Sequence, residues 1–298
     1  MTDMAAQTED LIETPLRTNE FRRFLRVFLG RKVVIFGTVI ILILIITAIF
    51  APLIAPYDPY KQSLSEALQS PSRAHLLGTD PLGRDELSRI VYGTRISLAV
   101  GIVAVGVAAI IGMMLGLVAG YFGGFINTVI MRFIDALMAI PPIMLALAIA
   151  AALGGGLSNV IISLGVALIP TQARLMRGQV LTVKQADYIT AGEVIGAGNL
   201  RIMMVHIFPN CLPPLIVLIT LNLGVAILAE AALSFLGIGI RPPGAAWGSM
   251  VNDGYRYLLS NPILSFAPGF AIMLVVLAFN IVGDGLRDAL DPRLRGTI

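Results

Sequence analysis

The chain is poor in cysteine, histidine, lysine and charge of either sign, and each shortage removes a class of function. The single cysteine, Cys211, excludes an intrachain disulfide and any cysteine-rich metal site. The only histidines are His75 and His206, with no HExxH pattern, so there is no Cys/His metal cluster to propose. Three lysines occur, Lys32, Lys61 and Lys184, and none follows a glycine. The phosphate-cradling loop GxxxxGK[ST] is therefore impossible here. Gly-x-Ser-x-Gly is missing too, which leaves a serine hydrolase without its motif. Charged residues make up 13% of the chain, the net charge is +3, and the basic residues form no stripe interleaved with aromatics of the kind that binds nucleic acid. These shortages leave no catalytic residue, metal ligand or cofactor to assign.

Apolar sequence is abundant instead. Hydrophobic residues make up 57% of the 298 positions, against about 45–50% in soluble domains. Val33–Phe50 runs without a charge, close to the roughly 20 residues that cross a bilayer. Further candidate spans are Ile96–Val118, Val129–Leu153, Val160–Gln172, Leu212–Leu233 and Leu264–Val282. The expectation is an all-α integral membrane protein with six transmembrane helices. The first run starts too late and continues too long for the apolar core of a cleaved signal peptide, and reads as an anchor. Lysine and arginine set the orientation. Arg17, Arg22, Arg23, Arg26, Arg31 and Lys32 precede the first span. With six spans that side also collects Arg174, Arg177, Lys184, Arg201, Arg287, Arg293 and Arg295. In the Ala55–Arg95 loop, Lys61, Arg73, Arg84, Arg89 and Arg95 are nearly balanced by acids, and the loop before the last span has only Arg241 and Arg256. Both termini are expected in the cytoplasm, in a multi-pass protein of the cytoplasmic (inner) membrane.

Between two apolar segments lies a polar island, Ala186–Asn210, with the sequence ADYITAGEVIGAGNLRIMMVHIFPN. Tyr188, Ala191, Gly192 and Ile195 follow helical spacing and share one face, while Asp187, Thr190 and Glu193 fall on another. Ala191 and Gly192 give the first face a shallow dent that another protein's side chains could enter. Gly196, Ala197, Gly198 and Asn199 then break the helix, and a second short run, Leu200–Phe208, is expected to end at Pro209. Helices that merely lie on a membrane surface carry lysine and arginine on the polar face, whereas this one offers Asp187 and Glu193.

The island resembles the cytoplasmic coupling loop of ABC-importer permeases, whose motif reads EAA, three residues, Gly, nine residues, then I-x-L-P. Thr190-Ala191-Gly192, Gly196 and His206-Ile207-Phe208-Pro209 occupy those positions, with Thr190 in place of the glutamate and Gly192 in place of the second alanine. Longer blocks are similar to the dipeptide/oligopeptide/nickel branch, and specifically to its second, C-type permease subunit. They are HLLGTDPLGRDELSRIVYGTRISLAVG (His75–Gly101), GLVAGYFGGFINTVIMRFIDALMAIPP (Gly116–Pro142), LSFLGIGIRPPGAAWGSM (ending at Met250) and NIVGDGLRDALDPRLRG (Asn280–Gly296).

The resemblance implies the type I importer permease fold and a heterodimer with a second homologous permease subunit. It implies two cytoplasmic ABC ATPase subunits docked on the coupling helices, and an extracytoplasmic substrate-binding protein that delivers cargo. On that reading Asp187, Tyr188, Thr190, Ala191, Gly192, Glu193, Gly196 and Ala197 form the ATPase contact, and His206, Pro209 and Asn210 close the loop. The cargo would be di- or oligopeptides, with nickel or glutathione as alternatives. A stand-alone channel or ion-driven carrier is the competing class, though no internal repeat is visible to favour it. The chain divides into a cytoplasmic tail (1–32), a first span with an extracytoplasmic segment (33–94), a permease domain (95–285) containing the coupling loop (186–210), and a C-terminal tail (286–298).

Several remaining residues carry two readings each. Gly112, Gly116 and Gly120 repeat every four residues, a small-residue face suited to helix packing in lipid more than to substrate contact. Glu230 and Asp135 are ionisable groups in or near apolar spans, and structural pairing is favoured for both. Pro141-Pro142 is expected to bend or interrupt the third span. His206 reads as a structural histidine. Trp247 suits an interfacial anchor or a contact with a binding protein. The Pro56–Arg95 segment should contain turns at Gly78 and Gly83 and caps from Asp and Thr, forming either a lid over the spans or a rest for the binding protein.

Overall fold

A computed structural model describes residues 20–240 and 243–290. Arg17, Arg241, Arg293 and Arg295 lie outside the described residues, as do most of the N-terminal tail and the end of the C-terminal one. Every regular element among those described is helical: α1 (Glu20–Leu29), α2 (Lys32–Ile49), the short α3 (Ala51–Ile54), α4 (Glu86–Phe122), α5 (Gly124–Met138), α6 (Pro142–Leu153), α7 (Leu157–Val183), α8 (Asp187–Val194), α9 (Asn199–Arg201), α10 (Phe208–Phe235), α11 (Trp247–Tyr255) and α12 (Ile263–Leu290). Five helical stretches are long and apolar enough to cross a membrane, or six if the bent pair α5–α6 counts as one span.

Glycine sets how closely the helices approach. A Cβ at Gly112 would lie 2.6 Å from Gln172 Cβ, one at Gly116 2.3 Å from the Ala173 carbonyl, and one at Gly120 2.8 Å from Val180 Cβ. The increasing numbers on both partners show that α4 and α7 run parallel. Gly101 faces Ile227 and Gly283 faces Leu221, so α10 runs against both α4 and α12. Gly37 meets Ile281 and Gly285 meets Val34, which lays α2 antiparallel to α12, and Arg31 is ion-paired with Asp288. These contacts place the start of α2, the ends of α4, α7 and α12, and the start of α10 at one end of the bundle, with α8. The 55–85 segment, α11 and the start of α12 sit at the far end. Phe36, Val39, Leu42, Ile43 and Ile46 of α2 are exposed, as a lipid-facing helix requires.

The third span is interrupted at Pro141-Pro142 as expected, while the second and fourth differ from their expected bounds. The third is two helices, α5 and α6, bent by 86°. Pro142 opens α6 and Pro141 before it is extended (φ −52°, ψ 133°), because a residue preceding proline is pushed out of the helical region. The fourth does not stop at Gln172; α7 carries Pro170 inside and continues to Val183. The second extends well beyond Ile96–Val118. At about 1.5 Å per residue, the 37 residues of α4 reach roughly 55 Å, longer than the roughly 30 Å hydrocarbon core. Its first turns therefore belong to the far-end segment.

That far-end segment folds on α4. Gly78 and Gly83 adopt φ of +79° and +72°, and a Cβ at Gly83 would strike the Ser63 carbonyl. Asp85 caps α4, accepting from the Ser88 backbone N–H at 2.8 Å and the Ser88 hydroxyl at 2.7 Å. Its other oxygen lies 2.8 Å from His75 Nδ1. Trp247 is neither an interfacial anchor nor an exposed contact: it is buried, donates Nε1–H to the Ile90 carbonyl at 3.0 Å, and lies over Gly93. The sequence showed an indole in a loop but not the glycine slot opposite it.

Candidate functional site

Within the island, α8 buries one side chain of its own, Ile189. Ile189 is buried in a cluster with Tyr121, Met176, Val180, Ile202, Met203 and Ile207. Its neighbours Asp187, Tyr188, Thr190, Ala191 and Glu193 are all exposed. Asp187 sits in the first turn, where a negative charge complements the helix dipole. A Cβ at Gly192 would meet nothing within 4 Å. The dent between Tyr188, Ala191, Gly192 and Ile195 is therefore open, not filled by this chain. Val194 and Ile195 are 82% and 84% exposed and Leu200 is 74% exposed, an apolar rim of the kind that marks an interaction surface.

The turn after α8 is a Schellman motif. Gly196 takes φ +81°, its N–H reaches the Glu193 carbonyl at 3.0 Å, and the Ala197 N–H reaches the Gly192 carbonyl at 3.0 Å. Ala197 packs on the Ile189 cluster. The second run departs from expectation. It does not end at Pro209 but continues through α9 and a π-helical turn, Ile202–Ile207, directly into α10. A proline ring collides with the carbonyl four residues earlier in an α-helix, and the wider π turn just before Pro209 makes room for it. Asn210 helps by donating its side-chain amide to the His206 carbonyl at 2.7 Å. His206 and Asn210 are thus parts of a continuous helix, and Pro209 stands in its first α-helical turn after the π segment.

Three residues to which the sequence reading gave no site role tie the island to the bundle. The Tyr121 hydroxyl donates to Asn199 Oδ1 at 2.9 Å. Lys184 donates to the Tyr121 carbonyl at 2.7 Å, with its ammonium 5.1 Å from the centre of the Tyr121 ring. The last turn of α4, the end of α7 and the start of α9 thus meet at one aromatic ring. The only sequence hint was the isolated Lys184 just before the island.

The two intramembrane acids find different partners. Glu230 is buried, accepting from Ser234 at 2.7 Å and, weakly, from Ser97 at 3.5 Å, so it links α10 to α4 through hydroxyls. Asp135 pairs across helices with Arg174 at 2.5 Å, on an exposed flank. Cys211 is buried in the Ile189 cluster as a small apolar side chain.

Comparison with known proteins agrees with this architecture. Residues 112–296 match the family model described as binding-protein-dependent transport system inner membrane component. Residues 19–71 match the N-terminal transmembrane domain of oligopeptide transport permease C. The chain is 47% identical over 264 residues to a dipeptide transport system permease protein of Alkalihalophilus pseudofirmus, covering 89% of this chain and 87% of the relative. It is 44% identical to a putative peptide transport system permease protein of Brucella suis, over 99% of both chains. A glutathione transport system permease protein of Pectobacterium atrosepticum is 44% identical over 92% of both.

Proposed function

The chain belongs to the family of binding-protein-dependent transport system inner membrane components, and from that premise we propose that it is the permease subunit of an ATP-driven peptide importer. It forms half of the translocation pathway with a second, homologous permease. Two separate ABC ATPases supply the energy and an extracytoplasmic binding protein supplies the cargo. The observation that carries this reading is the open dent at Gly192 on a helix that buries only Ile189, in a chain with no phosphate-binding loop of its own. A partner that fills the dent and moves on ATP binding biases the bundle between two states, provided it binds them with different affinity. The Tyr121 junction gives that motion a route into α4 and α7. The island end lies in the cytoplasm, because it gathers the lysines and arginines.

Di- and tripeptide-sized cargo fits the names of the dipeptide, peptide and glutathione relatives. The test is reconstitution with both ATPases, the second permease and the binding protein. Peptide-loaded binding protein should stimulate ATP hydrolysis and drive uptake. Because a side chain at 192 touches nothing within this chain, Gly192→Trp leaves the subunit folded and obstructs only its partner. We expect uptake to fall at least tenfold, a coupling loss of about 1.4 kcal/mol, in a correctly inserted protein. Normal uptake by that variant, or uptake driven by a proton gradient without ATP, would overturn the reading.

A further inference from the structure

We propose that a recess at the far end of the bundle, framed by Arg84 and Arg89, binds a carboxylate, and that its ligand is the carboxyl end of the transported peptide. The second half rests on the peptide-importer reading above. Arg89 is only 2% exposed, and its Nε and Nη1 have no hydrogen-bond partner. The nearest carboxylate oxygen, Asp80 Oδ2, is 3.6 Å from Arg89 Nε and already lies 2.5 Å from Arg84 Nε. The other Asp80 oxygen accepts the backbone N–H groups of Leu82 and Arg84, both at 2.9 Å. Two buried guanidinium groups thus share one occupied carboxylate. Among the described residues no other acid comes within 4.0 Å of either. A buried cation without full compensation is costly, and an arginine fork is shaped to take a carboxylate through two parallel N–H bonds.

Space for that group is present. Arg84 and Arg89 line a cavity of about 190 Å³ together with Ser234, Ile240, Ser249 and Asn252. Ser249 donates its proton to the Ala246 carbonyl and Asn252 donates its amide to the Phe235 carbonyl. Ser249 keeps its lone pairs, and Asn252 its carboxamide oxygen and one N–H, for a ligand. Exposed Asp253 also lines it. Two guanidinium groups with a carboxylate nearby complement a zwitterion, which is what a short unblocked peptide is. Glu86, Arg89 and Asp253 also line a second, smaller recess. One Glu86 oxygen is likewise buried without a partner.

The assembled importer in lipid nanodiscs, without its binding protein, is titrated with acetate, with Ala-Ala and with Ala-Ala amide, binding being read from ligand NMR line widths. Acetate and Ala-Ala should bind, with the amide at least tenfold weaker. Arg89→Gln should lose both, and Ser249→Leu, which fills the cavity but keeps both guanidinium groups and the Asp80 pair, should lose Ala-Ala. If Arg89→Gln does not assemble, Ser249→Leu and the acid–amide comparison carry the test. Equal binding of acid and amide, or unchanged Ala-Ala binding by assembled Ser249→Leu, overturns the site even where peptide uptake is intact, and leaves the importer reading standing. Acetate binding without Ala-Ala binding keeps the carboxylate site and overturns its assignment to peptide.

Discussion

Glycines on the same chain have opposite meanings according to what a Cβ would touch. At Gly116 it would lie 2.3 Å from a backbone carbonyl of α7, whereas at Gly106, on the same helix, it would meet nothing within 4 Å. Gly116→Val must therefore push α4 and α7 apart, and overpacking of this kind costs about 1–3 kcal/mol. Gly106→Ala should be neutral or stabilising by up to about 1 kcal/mol through helix propensity. Thermal unfolding of the detergent-purified subunit checks both; a lower Tm for Gly106→Ala than for Gly116→Val would contradict the packing argument. The four-residue glycine spacing was readable as a packing face from sequence, but the choice of α7 as its partner was not. Arg89 shows the same limit more sharply. Nothing in DELSR distinguishes a solvated arginine from one that is 2% exposed, because the residues that line its recess include Ser249 and Asp253, far along the chain from it.

At the scale of elements, the features readable from sequence were those whose cause is local. The Schellman turn follows from Gly196 being free to adopt positive φ, and the start of α4 from Asp85 capping its own first turn. The π turn before Pro209 and the 86° bend of α5–α6 depend on how neighbouring helices hold a proline-containing segment, and proline alone predicts only a break. The Tyr121 junction likewise joins three elements that lie far apart in sequence. It yields a prediction about coupling. Tyr121→Phe keeps the ring, its packing and the Lys184 bond to the backbone, and deletes only the hydrogen bond to Asn199. Losing one such bond costs about 0.5–1.5 kcal/mol, small for folding but on the scale of a coupling energy. The variant should insert and assemble normally while peptide taken up per ATP hydrolysed falls several-fold. An unchanged transport-to-hydrolysis ratio would show that motion enters the bundle elsewhere.

For the whole molecule, the contacts fix which helix ends lie together, and charge is the argument for which of the two ends faces the cytoplasm. Arg23, Arg26, Arg31, Lys32, Lys184, Arg201 and Arg287 belong to the island end, whereas the far-end segment balances its arginines with Asp58, Glu66, Asp80, Asp85 and Glu86. Cationic loops stay on the cytoplasmic side, so on the importer reading proposed above the dent at Gly192 would face the ATPases and the Arg84–Arg89 recess would face the binding protein. The single buried cysteine makes this directly measurable. With Cys211→Ala as background, one cysteine is placed at exposed Glu193 and another at fully exposed Leu259, in the far-end turn between α11 and α12. A membrane-impermeant maleimide added to intact spheroplasts should label Leu259→Cys and leave Glu193→Cys untouched, and inside-out vesicles should reverse the pattern. The opposite result would move the dent away from any source of ATP and the recess away from incoming cargo. The two sites therefore stand or fall on a single sidedness, although they share no residue.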